Sequence, residues 1–171
     1  MAKYFNISGE LTQQLLAPGD NVNVSRISLT NVQKVSKCKV DLYIEKALTG
    51  KFYLMKGVEL PIGATLIYND ITFSNKSNEF GLYIKLTDGA SFTLTGSIDV
   101  TGTNTAVPGT NTLYTSELSV GDEIVVSGET RTISSITGDT TAVVSAAWGS
   151  DLANDTSPDC NPTALVDVII N

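Results

Sequence analysis

Hydrophobic and polar positions alternate with a period of two along most of this chain, in short runs separated by Gly, Asn, Asp, Ser and Pro. The clearest run is "KCKVDLYIEK". Cys38, Val40, Leu42 and Ile44 alternate there with Lys37, Lys39, Asp41, Tyr43 and Glu45, the pattern of a strand with one buried face. "EFGLYIKLTDG" repeats it with Phe80, Leu82, Ile84 and Leu86 on one side. Asp88-Gly89 then predicts a hairpin, with "SFTLTGSIDV" as the returning strand. In "NVNVSRISLTN", Val22 and Val24 have opposite parity to Ile27 and Leu29, which calls for a bulge between them. "LTG" turns into "KFYLMKGVEL", and Pro61-Ile62-Gly63 turns into "ATLIYND". "ELTQQLL" is the one helix candidate.

The texture changes at Thr101, where "TGTNTAVPGTNT" is rich in Gly, Thr and Asn. "DEIVVSG", "TRTISSI" and "TTAVVSA" follow as three short strands joined by Ser-Gly-Glu and Thr-Gly-Asp turns. "WGSDLANDTSPDCNP" reads as an irregular return. The final "TALVDVIIN" places Ala164, Val166, Val168 and Ile170 on one face, and such a strand needs a sheet to join. A detour of roughly 60 residues between neighbouring strands is a folded unit rather than a loop. The expectation is therefore an all-β fold: an antiparallel β-sandwich, Ig-like or jelly-roll-like, from residues 1–100 and 162–171. Residues 101–161 are expected to form an inserted small acidic β-barrel or β-hairpin module.

Charge sharpens this division. Residues 1–100 carry ten Lys/Arg and nine Asp/Glu, whereas residues 101–171 carry one (Arg131) and nine. A net of −8 on the second part argues against a nucleic-acid grip there and suits an outward, solubilising face. No apolar run approaches the roughly 18 residues of a membrane span. "MAKYFNISGE" has no apolar h-region, so no secretory signal is expected. Cys38 lies on the inward side of its strand, so a buried free thiol is favoured over a Cys38–Cys160 disulfide.

The chain has no His. That removes Ser-His-Asp and Cys-His catalysis and His-based zinc sites, and no phosphate-binding Gly pattern is present. No catalytic, cofactor-binding or metal residue is assigned, and no cofactor is expected. Asp151, Asp155 and Asp159 recur every four residues, but Pro158 breaks any helix that would align them, so they read as a solvated acidic loop rather than a calcium site. Asp122 and Glu123 point to opposite faces of one strand. Tyr114 and Trp148 are candidate ligand contacts, with a core plug as the competing reading of Trp148. Tyr4, Phe5 and Ile7 are candidate subunit contacts if the N-terminal segment is an arm, the other reading being a plain edge strand.

A resemblance adds to this reading. The segment "VTGTNTAV…YTSELSVGDEIVVSGETRTISSITGDTTAVVSAAW" resembles a small β module common in virion proteins of tailed bacteriophages. Glu117, Leu118, Val120, Gly121, Asp122, Ile124, Gly128, Glu129, Arg131, Ile133, Ile136, Asp139, Thr140 and Val144 carry the pattern. The stretch "VSRISLTNVQ…KVDLYIEK…KFYLMKGVELPIGATLIY", with its turn at 60–64, is similar to small phage structural proteins. What the resemblance implies is a virion component without catalysis: a capsid decoration or cement protein, a neck or collar protein, or a tail accessory. It implies assembly in the host cytoplasm and other virion proteins (capsid, portal, neck or tail subunits) as partners. A homo-oligomer is expected, with no nucleic acid and no membrane. The alternative is a tail or surface-exposed module engaging a host glycan or receptor.

Overall fold

The structure is a computed structural model that describes residues 2–76 and 79–171. Its chain divides into two units, one of residues 1–88 with 164–171 and one of residues 89–163. The first begins with β1 (Lys3–Ser8), β2 (Thr12–Leu16), β3 (Asn23–Val24), β4 (Ile27–Asn31) and β5 (Cys38–Lys46). It continues through β6 (Gly50–Leu60), β7 (Thr65–Tyr68), β8 (Phe73–Ser74) and β9 (Gly81–Thr87). The second holds β10 (Phe92–Thr93), β11 (Ser97–Val100), β12 (Ala106–Thr110) and a single helical turn, α1 (Tyr114–Glu117). After it come β13 (Glu123–Val126), β14 (Glu129–Gly138), β15 (Thr141–Val144), β16 (Leu152–Asp155) and β17 (Asp159–Asn161). The chain then returns to the first unit as β18 (Leu165–Ile170).

In the first unit the pairings are nested. β5 pairs with β6, β4 with β7, β3 with β8, β2 with β9 and β1 with β18, all antiparallel. This is one long hairpin folded over on itself. Two further pairings, β18 with β4 and β9 with β5, close two four-stranded sheets, β1-β18-β4-β7 and β2-β9-β5-β6. Nested pairing with these two orders is jelly-roll topology, so of the two sandwich forms expected, the jelly roll is the one observed.

The inward residues of both sheets form one core. Ile7, Leu29, Val166, Val168 and Ile170 come from the first sheet, and Leu16, Val40, Leu42, Leu82, Ile84 and Leu86 from the second. Each such side chain contributes roughly 1.5–3 kcal/mol when fully buried. Buried Asn31 ties β4 to the end of β6, its Nδ2 donating to the carbonyls of Ser36 and Leu60, both at 3.0 Å. The parity change in "NVNVSRISLTN" is resolved by a break. Ser25 and Arg26 leave the strand and donate their N–H groups to Asn171 O, so that Val24 and Ile27 both point inward.

Three expectations need correction. "ELTQQLL" contains β2 and not a helix, because pairing with β9 draws Leu15 and Leu16 into the core. Asp88-Gly89 makes no hairpin. β9 ends at Thr87, while Phe92 and Thr93 pair with β17 and Ser97–Val100 pairs with β12 and β16. The unit boundary therefore falls at Gly89, not Thr101, and residues 89–100 belong to the second unit. At the far end it falls after Thr163. The "irregular" return, finally, contains β16 and β17.

The second unit is one antiparallel order, β10-β17-β13-β14-β15-β12-β11-β16. The turn between β13 and β14 has Ser127 at φ 47° and Gly128 at φ 87°, the double positive φ that a two-residue hairpin turn of the favoured twist requires. Its core holds Trp148, Tyr114, Leu118, Ile98, Ile124 and Cys160. Gly109 is required there, because a Cβ would stand 2.2 Å from Thr112 Oγ1 and 2.7 Å from the Tyr114 hydroxyl. The fully buried Asp122 carboxylate ties the last residue of this unit to its interior, accepting from Ser119 N at 2.7 Å and Thr163 N at 3.0 Å.

The stubs of the first unit are equally close. Ala164 N donates to Asp88 Oδ1 at 2.7 Å, and Gly9 N donates to Ala164 O at 2.9 Å. Replacing residues 89–163 by Asn-Gly is therefore expected to leave a jelly roll with a cooperative thermal transition and a β-sheet circular dichroism spectrum. A chain without a cooperative transition would show that the first core depends on the second. Asp122→Ala is expected to cost roughly 2–4 kcal/mol in urea unfolding, since buried N–H groups lose their acceptor.

Candidate functional site

Most chemistry-bearing residues named above are committed to the fold. Asp151 Oδ1 accepts from Gly102 N at 2.7 Å, and Asp159 Oδ1 accepts from Thr93 Oγ1 at 2.8 Å. Asp155 accepts from the N–H groups of Ser127 and Ser157. The three carboxylates are thus held apart in separate turns and pairings. Among the described residues no group of three or more ligating side chains is placed to hold a metal ion. Asp122, immediately before β13, is buried, whereas Glu123, its first residue, is exposed, so the two carboxylates do not face one site.

Tyr114 and Trp148 are 0% and 1% exposed. Both are core residues, which corrects their assignment as ligand contacts: neither offers a ring face to a ligand. Arg131, the only basic residue of the second unit, sits 5.5 Å from the Trp148 ring centroid. It is held there by donation to Ala147 O at 2.9 Å and by an ion pair with Glu129. At the N-terminus, Tyr4, Phe5 and Ile7 lie in β1, an edge strand and not an arm. Ile7 is buried and Phe5 packs on the core, so neither is a surface contact in the folded unit; Tyr4 alone projects, 72% exposed.

The outer sides of the two jelly-roll sheets differ. On sheet β2-β9-β5-β6 the register lines up Gln14, Tyr83, Tyr43 and Tyr53 in one row. Tyr43 stacks on Tyr83 at 5.6 Å between ring centroids and meets Tyr53 at 5.5 Å. Gln14 Nε2 donates to the Tyr83 hydroxyl at 2.7 Å. Lys51 Nζ donates to the Tyr43 hydroxyl at 3.2 Å and lies 4.5 Å from its ring centroid; Lys56 lies 4.8 Å from that of Tyr53. The hydrogen bond to Tyr43 raises the Lys51 pKa. Cross-strand aromatic pairs and cation–π contacts of this kind hold a sheet together. Around the row stand Lys39, Asp41, Glu45, Glu59 and Lys85, so this side is highly charged.

The outer side of sheet β1-β18-β4-β7 is different in kind. Its central row reads Tyr4, Ile169, Ser28, Ile67 across the four strands, and the next outward row reads Asn6, Asp167, Thr30, Thr65. Asp167, which accepts from Asn6 Nδ2 at 2.5 Å, is the one charge in these rows. Sequence reading assigned no residue of either face except Tyr4. Alternation placed Tyr43 and Ile169 outward, but only the register shows which residues stand beside them. Elsewhere in the first unit a cleft of about 280 Å³ is lined by Ile44, Leu54, Tyr68, Asp70, Ile71 and Phe73. No helix among the described residues is long and apolar enough to cross a membrane.

Comparisons with family models, with curated proteins and with solved structures find no match to this chain.

Both cysteines are free and buried. Burial, with the nearby Asp88 carboxylate, pushes the Cys38 thiol up to about 11; burial, with Asp122 and Glu117, pushes Cys160 higher still. Burial also raises Tyr114. In the unfolded chain these groups ionise at lower pH than in the folded one, so the stability they lend is complete below pH 9 and declines above it. Urea midpoints are expected to hold up to about pH 9 and to fall as the pH climbs towards 11, with Cys38→Val reducing the slope. A flat profile over that window would show that the thiols ionise in place.

Proposed function

We propose that this chain is a non-enzymatic structural component of a tailed-phage virion. In this reading it is a head or head–tail accessory protein, a decoration or neck component, that docks on neighbouring subunits through its jelly-roll unit. The observation that carries the reading is the pairing of a jelly roll, a fold used by viral capsid domains, with a charge-poor outer sheet face. Charge distribution supports it. The first unit has ten basic and nine acidic residues, and the inserted unit has one and nine. A near-neutral unit suits docking, and a strongly acidic one suits contact with solvent. The resemblance of residues 100–148 and of the first unit's strands to phage structural proteins points the same way.

The glycan-binding alternative loses the two contacts named for it, since Tyr114 and Trp148 are core residues. The tyrosine row of the other sheet does not replace them. Its rings stack on one another, and Tyr43 is 1% exposed.

The test is quantitative mass spectrometry of purified particles, followed by adding the chain to particles that lack it. The expected outcome is a fixed copy number per particle and saturable rebinding. Absence from particles whose gene for the chain is intact overturns the proposal.

A further inference from the structure

We infer that the outer side of sheet β1-β18-β4-β7 is a self-association surface, and that its occupant is the same face of a second copy of this chain. The inference gives the docking role above a location and a partner, and rests on that reading only in treating the chain as part of an assembly.

The first ground is the contrast between two faces of one small unit. The outer side of β2-β9-β5-β6 carries Lys39, Asp41, Glu45, Lys51, Glu59 and Lys85, as a solvated face does. The outer rows of β1-β18-β4-β7 carry Asp167 alone. Charge depletion with exposed aromatic and aliphatic side chains is what marks the centre of an interface. Tyr4, Ile67 and Ile169 are 72%, 47% and 38% exposed, and isolated β-sheet faces in water do not gain from such a row.

The second ground is the order of residues within the rows. Ser28 lies between Ile169 and Ile67 and is only 8% exposed, so the row has relief: two projecting residues, a dip and another projection. A two-fold axis parallel to the strands and midway between β18 and β4 exchanges β18 with β4 and β1 with β7. It sets Ile169 over the partner copy's dip at Ser28 and Tyr4 over the partner copy's Ile67. In the next row it sets Asp167 opposite the Thr30 hydroxyl, which shares a hydrogen bond with Thr65 Oγ1 at 2.9 Å, and Asn6 opposite Thr65, so the one carboxylate meets a hydroxyl and not another carboxylate. Beyond that row, Leu165 meets Val32, a residue 49% exposed whose N–H bonds to Leu165 O within one chain. Every contact occurs twice, as closed two-fold packing requires.

Size sets the strength. Four strands at about 4.8 Å and five or six residues at about 3.3 Å give a plan of roughly 19 by 17 Å. That is well below the ~800 Å² per partner of a standard stable complex. Association is therefore expected to be weak and concentration-dependent in isolation.

Sedimentation velocity of the full chain over a concentration series is the direct test. The expected result is a reversible monomer–dimer equilibrium, weakened at least tenfold by Ile169→Lys and unaffected by Tyr53→Lys on the opposite sheet. Circular dichroism melts check that both variants fold. An independent test mixes equal amounts of an Ile169→Cys chain and a Ser28→Cys chain under mild oxidation. The native Cys38 and Cys160 are buried and do not compete. A mixed disulfide forming in excess over either homodimer supports the stated axis. A monomer at every concentration, a dimer that survives Ile169→Lys, or a mixed disulfide no more abundant than the homodimers overturns the inference. A monomeric chain that is nonetheless stoichiometric in particles removes this inference and leaves the virion proposal standing. A dimer disrupted by Ile169→Lys but absent from particles does the reverse.

Discussion

Everything in the first unit depends on the place of its last strand. β18 is not an edge strand; it pairs with β1 on one side and β4 on the other. Without it the sheet β1-β18-β4-β7 is a lone strand beside a two-stranded hairpin, and Val166, Val168 and Ile170 leave the core. Yet the chain reaches β18 only after the whole of residues 89–163. The insertion is tolerable because its two stubs are joined locally. Asp88 accepts from Ala164 N, and Glu10 accepts from Asp88 N at 3.1 Å. A folded insert with neighbouring ends acts as a large turn, and loop-closure entropy grows only slowly with length. On the insert's own side, buried Asp122 does the corresponding work by holding Thr163. Asp88 thus joins the two stubs of the first unit, and Asp122 anchors the point where the insert is left.

The same arrangement explains why two kinds of surface arise on one jelly roll. The long β6, at the edge of its sheet, has Lys51 and Lys56 along it and register shifts against β5. These are the usual means by which an exposed edge avoids pairing with another chain. Its sheet meets solvent through charges arranged in opposite-sign cross-strand partners, such as Lys85 with Asp41 and Lys51 with Glu45. The other sheet has little such protection on its face: its rows are built of Ile, Tyr, Ser, Thr and Asn, with Asp167 the one charge. A sheet face with one charge and exposed Tyr4, Ile67 and Ile169 is the kind of charge-poor surface that contiguous apolar patches at interaction sites share.

Much of the fold was legible because alternation is a local property. Cys38, Val40, Leu42 and Ile44, and Leu82, Ile84 and Leu86, face the core or its edge as their spacing requires, and the return of β18 to the first sheet followed from its having nothing else to join. What local patterning does not encode is pairing. Asp88-Gly89 carries a strong hairpin signal, but the Asp88 carboxylate is engaged by an N–H that lies 76 residues away in sequence. Local pattern therefore sets the boundary two strands late, after β10 and β11. β2 was misread because Leu15 and Leu16 are both buried, at a bulge against β9, which mimics a helical spacing. The candidate site suffered most. Tyr114 and Trp148 attracted attention as aromatic residues in a polar module, and both fill its core. Tyr43, Tyr53 and Tyr83 converge only through register. So do Tyr4, Ile169, Ser28 and Ile67, from four strands whose order no periodicity contains.

Charge sets the electrostatic cost of bringing two copies of this chain together. A net charge of −7 makes any two copies repel; the one basic and nine acidic residues of 89–163 supply all of it, since the ten basic and nine acidic residues of the first unit nearly balance. At physiological ionic strength such repulsion is screened beyond about 8 Å. Copies can therefore approach through a surface that carries only one charge, Asp167, provided the acidic units keep more than that distance apart. The charge-poor sheet face is such a surface on the near-neutral unit, whereas the opposite face, with its fixed lysines and carboxylates, would have to desolvate each of them to be covered. An acidic insert on a near-neutral jelly roll thus narrows the modes of association. It disfavours every contact that includes residues 89–163 and leaves the neutral sheet as the face where burial of apolar area meets the least electrostatic opposition.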